Sequence, residues 1–229
     1  MDFTWLDRFL PVLQTGLINT IKLTVYSGVI GFVLANLVGL CRISKNPALA
    51  WGSLAFTTVI RGTPLLVQIF IFYYGLGELF GSSAWLKQSV LWPYMRDGFG
   101  YVLIALSISV AAYLGEIMRS AFLSVPVGEL EAAKAFGLTP SKLFFSILYP
   151  RAIQQVVPTL TGETVLHLKS TALASTVAVV ELFGAANRVR QTTFLVYEPL
   201  LLVGAIYLIL TLLIEGCGRF VERRQRGRR

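Results

Sequence analysis

Charge is what this sequence has least of: only 14% of its 229 residues are Asp, Glu, Lys or Arg, where soluble domains carry about 25%. With 55% hydrophobic residues and a mean hydropathy of +0.69, a soluble domain is excluded and a single polytopic helical membrane domain is expected. Cysteine and histidine are equally scarce, at two and one. That excludes a disulfide scaffold and leaves no cluster of metal ligands, so no metal site is expected. Cys41 and Cys217 end apolar runs and read as reduced packing residues. No G-x-x-x-x-G-K-[ST] phosphate loop occurs, so any ATP chemistry belongs to a partner. No G-x-S-x-G motif or other nucleophile–base pairing supports an intramembrane enzyme. The start, MDFTWLDRFLP, is acidic and short, unlike a cleavable signal peptide. The net charge of +8 does not point to nucleic acid. Six arginines crowd the stretch Arg219–Arg229, and beside an apolar span such a cluster reads as anchoring at anionic lipid.

What is present is a series of long apolar runs. Phe3, Leu6, Phe9, Leu10 and Leu13 recur at helical spacing, so residues 1–16 are expected to form a helix lying in the membrane interface. Spans follow at about Leu17–Cys41, Leu54–Leu76, Phe99–Leu123 and Pro199–Gly218. The segment Val156–Gly184 carries Pro158, Glu163, His167 and Lys169 in apolar surroundings. It is expected to be a broken or tilted fourth span, giving five in all, because irregular backbone at membrane depth must face protein or a water-filled cavity. Between spans, Glu78–Gly98 holds Trp85, Trp92 and Tyr94 in an aromatic-belt pattern, and Asn187–Glu198 reads as a polar loop. The domain divides into the terminal helix 1–16, a transmembrane body 17–218 and a basic cytoplasmic tail 219–229.

Pro126–Ile153 is too polar for lipid but is built as two short helices. Glu129 to Ala135 are good helix formers, Gly137 permits a left-handed C-terminal turn, and Thr139 with Pro140 can start a second helix. That helix is expected to stop or kink at Pro150. With this elbow in the cytosol, Arg42, Lys45, Lys134, Lys142, Arg151 and the tail arginines lie inside. Arg8, Lys87, Arg96, Arg188 and Arg190 lie outside. The asymmetry gives an external N-terminus and an internal C-terminus.

Charges within spans need a partner, an interface or water. Glu116 and Arg119, three apart, can pair with each other. Lys22 can snorkel outward and Glu215 can reach the tail arginines. Arg61-Gly62-Thr63-Pro64 would break its helix and free backbone groups. In Gly162–Ser175, Glu163, His167, Ser170 and Thr171 share a helical face, with Lys169 off it. A carboxylate such as Glu163 can meet a cationic side chain or an α-ammonium group, and Lys169 can receive a carboxylate. The alternative is that these groups satisfy one another at a subunit interface.

Glu131-Ala132-Ala133, Gly137, Ile147 and Pro150, set between membrane spans, resemble the EAA motif of bacterial ABC importer permeases, with Tyr149 where that family has Leu. The run VIRGTPLLVQIFIFYYG resembles the second span of amino-acid ABC permeases, and GETVLHLKSTALAS the cavity-lining segment of polar amino-acid permeases. The resemblance runs from Leu17 through the last span. It points to the histidine/arginine/glutamine uptake type. LKSTALAS and the basic tail look closest to subunits importing basic amino acids or opines.

The resemblance implies an all-α polytopic protein with the type I ABC importer permease fold and a cytoplasmic coupling-helix loop at 126–153. It implies that Glu131, Ala132, Ala133 and Gly137 contact an ATPase, and that Glu163, Lys169, Ser170, Thr171 and Arg61 belong to the substrate path. His167 does not carry over, since the family has an apolar residue there. The implied partners are an ABC ATPase dimer that binds ATP and Mg, a second permease subunit (identical or related), a periplasmic solute-binding protein and membrane lipid. The implied location is the bacterial inner membrane, with no cofactor in this chain. The rival reading is a stand-alone ion-coupled secondary amino-acid transporter with Glu163 as its coupling site.

Overall fold

The computed structural model describes residues 4–90 and 92–226. Every regular element among them is helical. In chain order they are α1 (Thr4–Arg42), α2 (Pro47–Gly62), α3 (Leu65–Phe70), a π-helical turn (Ile71–Leu76), α4 (Gly77–Ser82), α5 (Ala84–Lys87), α6 (Trp92–Met95), α7 (Phe99–Leu123) and α8 (Val127–Ala135). Then come α9 (Pro140–Leu143), a second π-helical turn (Phe144–Leu148), α10 (Tyr149–Ser170), a 3-10 turn (Thr171–Thr176), α11 (Leu182–Thr193) and α12 (Tyr197–Arg226). Among the described residues four stretches are long and apolar enough to cross a membrane: Leu6–Arg42, Leu65–Ser82, Phe99–Leu123 and Tyr197–Gln225.

The centre of the bundle is the pairing of α1 with α7. At 39 residues, α1 is about 58 Å long, well beyond a hydrocarbon core of about 30 Å. Small residues bring the two backbones together, as they do where lipid supplies no hydrophobic drive. A Cβ on Gly31 would lie 2.5 Å from the Val110 Cβ, and one on Gly115 would lie 2.6 Å from Val38 Cγ1. Leu23, Ala35, Val102, Ala105, Leu106, Ala112 and Met118 are fully buried.

Several expectations need correction. Residues 4–16 do not form a helix of their own but are the uninterrupted start of α1, helical through Pro11. Their apolar face is used inside the protein: Phe9 and Leu13 pack with Leu182, Ala185, Ala186, Val189 and Val203. Phe3 lies outside the described residues. The stretch expected as a loop from Asn187 is helical as far as Thr193. The broken span ends its regular helix at Ser170, and Val177 already has extended backbone. The elbow has its two helices, its left-handed Gly137 (φ +75°) and its Thr139 cap on the Lys142 amide with Pro140 following. Pro150, however, does not stop the chain. It sits in the first turn of α10 just after the π turn at Phe144–Leu148, whose wider coil absorbs the missing amide.

Gly31→Val is expected to force α1 off α7 and destabilise the protein by about 1–3 kcal/mol, the cost of overpacking. Thermal unfolding in detergent checks this. Gly204→Val, at a position with no atom within 4 Å of a new Cβ, should be near neutral.

Candidate functional site

A cavity of about 1080 Å³ opens between α1, α7, α10 and α12. Most of its wall is aliphatic: Val25 and Val29 from α1, Val110 from α7, Leu210 and Leu213 from α12. Polar groups enter mainly from one side. α10 contributes Glu163, Thr164, His167, Lys169 and Ser170, facing Thr24 of α1 and Ser109 and Tyr113 of α7. Polar side chains at this density in a membrane bundle are expected only where water or a solute reaches them.

Of the residues assigned to the path, Glu163, Lys169 and Ser170 line this cavity. Among the described residues neither Glu163 nor Lys169 takes part in an ion pair, so the two charges do not neutralise each other. Lys169 lies on the cavity wall although its helical position sets it off the face of the others, because the cavity wraps widely around the end of α10. Thr171 is not on the wall. It is fully buried where the helix tightens into the 3-10 turn, and its hydroxyl donates to the Leu168 carbonyl. Arg61 stands at the edge: it is exposed, and its guanidinium lies 5.4 Å from the centre of the Tyr113 ring, a cation–π contact with a cavity residue.

The helix break beside Arg61 is as expected, and the structure adds how it is repaired. α2 ends at Gly62, Thr63 is extended, and α3 begins after Pro64. Pro64 has no amide to give the Ile60 carbonyl. The buried side chain of Gln68 supplies it, with Nε2 donating to Ile60 O at 2.7 Å, to Thr63 O at 3.1 Å and to Thr63 Oγ1 at 2.9 Å. Nothing in the spacing of Gln68 alone flags this role. The signal is a polar residue four places after a mid-span Pro.

His167, set aside on sequence grounds, also lines the cavity. Ser27 Oγ lies 2.7 Å from His167 Nε2 and spends its own proton on the Leu23 carbonyl, leaving Nε2–H to donate. This clasp ties α10 to α1. Glu116 does meet Arg119, at 4.0 Å, but its first partner is Arg42 at 2.7 Å, with the Thr57 hydroxyl donating at 2.9 Å. The three contacts bind α1, α2 and α7 at one end of the bundle. Glu215 reaches Arg219 at 3.8 Å.

Glu181 is fully buried with no cation near it among the described residues. It caps α11, accepting from the amides of Phe183 at 2.8 Å and Gly184 at 2.6 Å, and takes the Tyr207 hydroxyl at 2.9 Å. On the elbow, Glu131 and Ala132 are exposed and Gly137 has open space around it, while Ala133 is buried. Phe136 stands out from the surface, 86% exposed.

Residues 10–227 match the family described as binding-protein-dependent transport system inner membrane component. The chain belongs to this family. It is 41% identical to the octopine transport system permease protein OccM of Rhizobium meliloti over 96% of this chain and 87% of that protein. It is 31% identical to the arginine transport system permease protein ArtQ of Bacillus subtilis over 98% and 97%. The crystal structure of an amino acid ABC transporter with histidines superposes with a TM-score of 0.82 at 30% identity, covering 98% of this chain and 99% of that one. The fold is therefore the all-α ABC importer permease fold of type I, and this permease is a multi-pass inner-membrane protein.

Gln68→Leu is expected to take the amide donor away from the Ile60 and Thr63 carbonyls and destabilise the permease by about 1–3 kcal/mol. Thermal unfolding of purified protein checks it, with the larger share of the loss expected near the break in hydrogen exchange.

Proposed function

We propose that this chain is the permease subunit of an ATP-driven importer that carries polar amino acids of the basic type, or opines, across the bacterial inner membrane. One observation carries the reading: a carboxylate, Glu163, and an ammonium, Lys169, neither in an ion pair among the described residues, stand on the wall of a largely apolar cavity. A solute bearing both a cation and a carboxylate complements that wall. Relatives named for octopine and arginine transport support the substrate class. Ser170 would add a hydroxyl to the path, Arg61 would stand at its edge stacked on Tyr113, and Thr171 would act from behind the wall.

The elbow 126–153 is assigned to the cytosol, with the N-terminus periplasmic and the C-terminus cytoplasmic. In this arrangement α10 completes five spans within the body 17–218, and the tail 219–229 lies against anionic lipid. An ABC ATPase dimer, holding ATP and Mg, docks on the elbows through the exposed Glu131 and Ala132. Ala133 packs the elbow from within and Gly137 turns it. A second permease subunit, identical or related, closes the cavity, and a periplasmic solute-binding protein delivers the solute. ATP-driven closure of the ATPase dimer brings the elbows together and tips the spans outward. Hydrolysis resets them. This chain itself breaks no covalent bond.

Glu163→Gln removes the charge and keeps the shape. Loss of a hydrogen bond to a charged group, about 1.5–3 kcal/mol, corresponds to roughly 10- to 100-fold weaker uptake of cationic solutes. Uptake of a neutral amino acid should change little. Competition assays in proteoliposomes check this, and equal loss for both solutes would assign Glu163 to scaffolding. Glu131→Lys should abolish solute-stimulated ATP hydrolysis while membrane insertion is kept. Unchanged ATP-dependent uptake would remove the elbow from the coupling path.

A further inference from the structure

We propose that the ion pair between Arg151 and Glu129 is the strut through which the elbow drives α10, setting how much solute moves per ATP rather than how fast ATP is consumed. The inference rests on the elbow being the ATPase contact. Arg151 Nε lies 3.0 Å from Glu129 Oε2, joining the first turn of α10 to the first turn of α8. The two side chains are 49% and 37% exposed. An ion pair that open contributes little to stability, so holding the fold together does not explain it.

Its position does. One turn further along the same face of α10, Gln155 Oε1 accepts the Ser124 hydroxyl, which lies in the link between α7 and α8. Beneath these polar ties the inner face of α10, Ala152 and Val156, packs with Met118, Ala121, Phe122 and Val125, with Leu130 of α8 against them. Along the chain, by contrast, α8 reaches α10 through a glycine turn, the four-residue α9 and a π turn. Gly137 turns at φ +75° with open space around it, and the π turn Phe144–Leu148 follows. A push on α8 sent along that route would be taken up by the link. The Arg151–Glu129 pair bypasses it and delivers the push to the base of α10. The same helix, which continues through Pro158, then carries it to the cavity: Glu163 and Lys169 lie about 18 and 27 Å further on at 1.5 Å per residue. α10 is thus both the output of the elbow and a wall of the solute path.

The test reconstitutes the complete transporter, ATPase and binding protein included, in proteoliposomes. Uptake of radiolabelled octopine and L-arginine is measured against phosphate release in the same vesicles. Glu129→Lys and Arg151→Glu are each expected to lower solute moved per ATP by at least about fivefold, the small end of a typical coupling energy. Phosphate release should stay within about twofold, as for an exposed pair with little structural weight. The double exchange, Glu129→Arg with Arg151→Glu, should restore the ratio. An unchanged ratio in the single variants, or a double exchange no better than either single, overturns the strut while ATP-driven uptake stands. Wild-type uptake of either solute that ignores ATP overturns the importer reading and the strut with it.

Discussion

A bilayer offers the polypeptide backbone no hydrogen-bond partner, so every interruption of a helix at membrane depth must be repaired by the protein itself. Among the described residues the breaks at Pro64 and after Ser170 are repaired in this way, and a proline at the elbow end of α10 is accommodated as well. At Pro64 the Gln68 amide replaces the absent backbone donor. At Pro150 a π turn widens the coil ahead of the ring. Between Ser170 and Leu182, where the chain leaves regular helix, α1 comes to its aid: Asn19 donates to Val180 O at 2.8 Å, and Thr20 accepts the Leu182 amide at 3.0 Å. Glu181 then caps the next helix from a fully buried position. Each repair uses a polar side chain or an irregular turn that an uninterrupted hydrophobic helix would not need.

These breaks divide the bundle into parts of different character. α1 and α7, joined by close glycine contacts, form the stiff apolar frame. Against it stands α10, with a proline in its first turn, a tight 3-10 turn at its end and most of the cavity's polar groups between. The Ser27–His167 clasp ties α10 to this frame, and the Glu116–Arg42 pair ties α7 to α1 within it. In this arrangement the charged groups of the cavity wall, Glu163 and Lys169, belong to α10 and not to the frame.

Much of this was legible in the amino-acid order. Long apolar runs mark α1, α7 and α12. Gly62-Thr63-Pro64 marks the break, and the elbow can be read from helix formers, Gly137 and the Thr139-Pro140 start. Glu163, Lys169 and Ser170 announce themselves as polar residues where apolar ones are expected. What was hidden is hidden for physical reasons. α11 hides its core stripe, Leu182, Ala185, Ala186 and Val189, among Asn187, Arg188, Arg190 and Gln191, so its composition resembles a loop. Arg42 looks like an ordinary cation at a helix end, and only the fold carries it 74 residues along the chain to Glu116. His167 finds its partner only when the fold brings Ser27 of α1, 140 residues away along the chain, beside it. Thr171 shares the α-helical periodicity of the lining residues, but the helix changes pitch at that residue and turns it inward.

The central claim is that the polar face of α10 borders a water-filled route for solute. Thiol labelling tests it most directly. With Cys41 and Cys217 replaced by Ser, single cysteines at Ser170 and at Leu212, exposed on α12 outside the cavity lining, would be treated with a small membrane-impermeant thiol reagent in intact transporter. Modification at position 170, slowed by added solute and shifted by ATP, is the expected result, with position 212 unreactive throughout. A residue 170 as unreactive as 212 in every state would contradict the account.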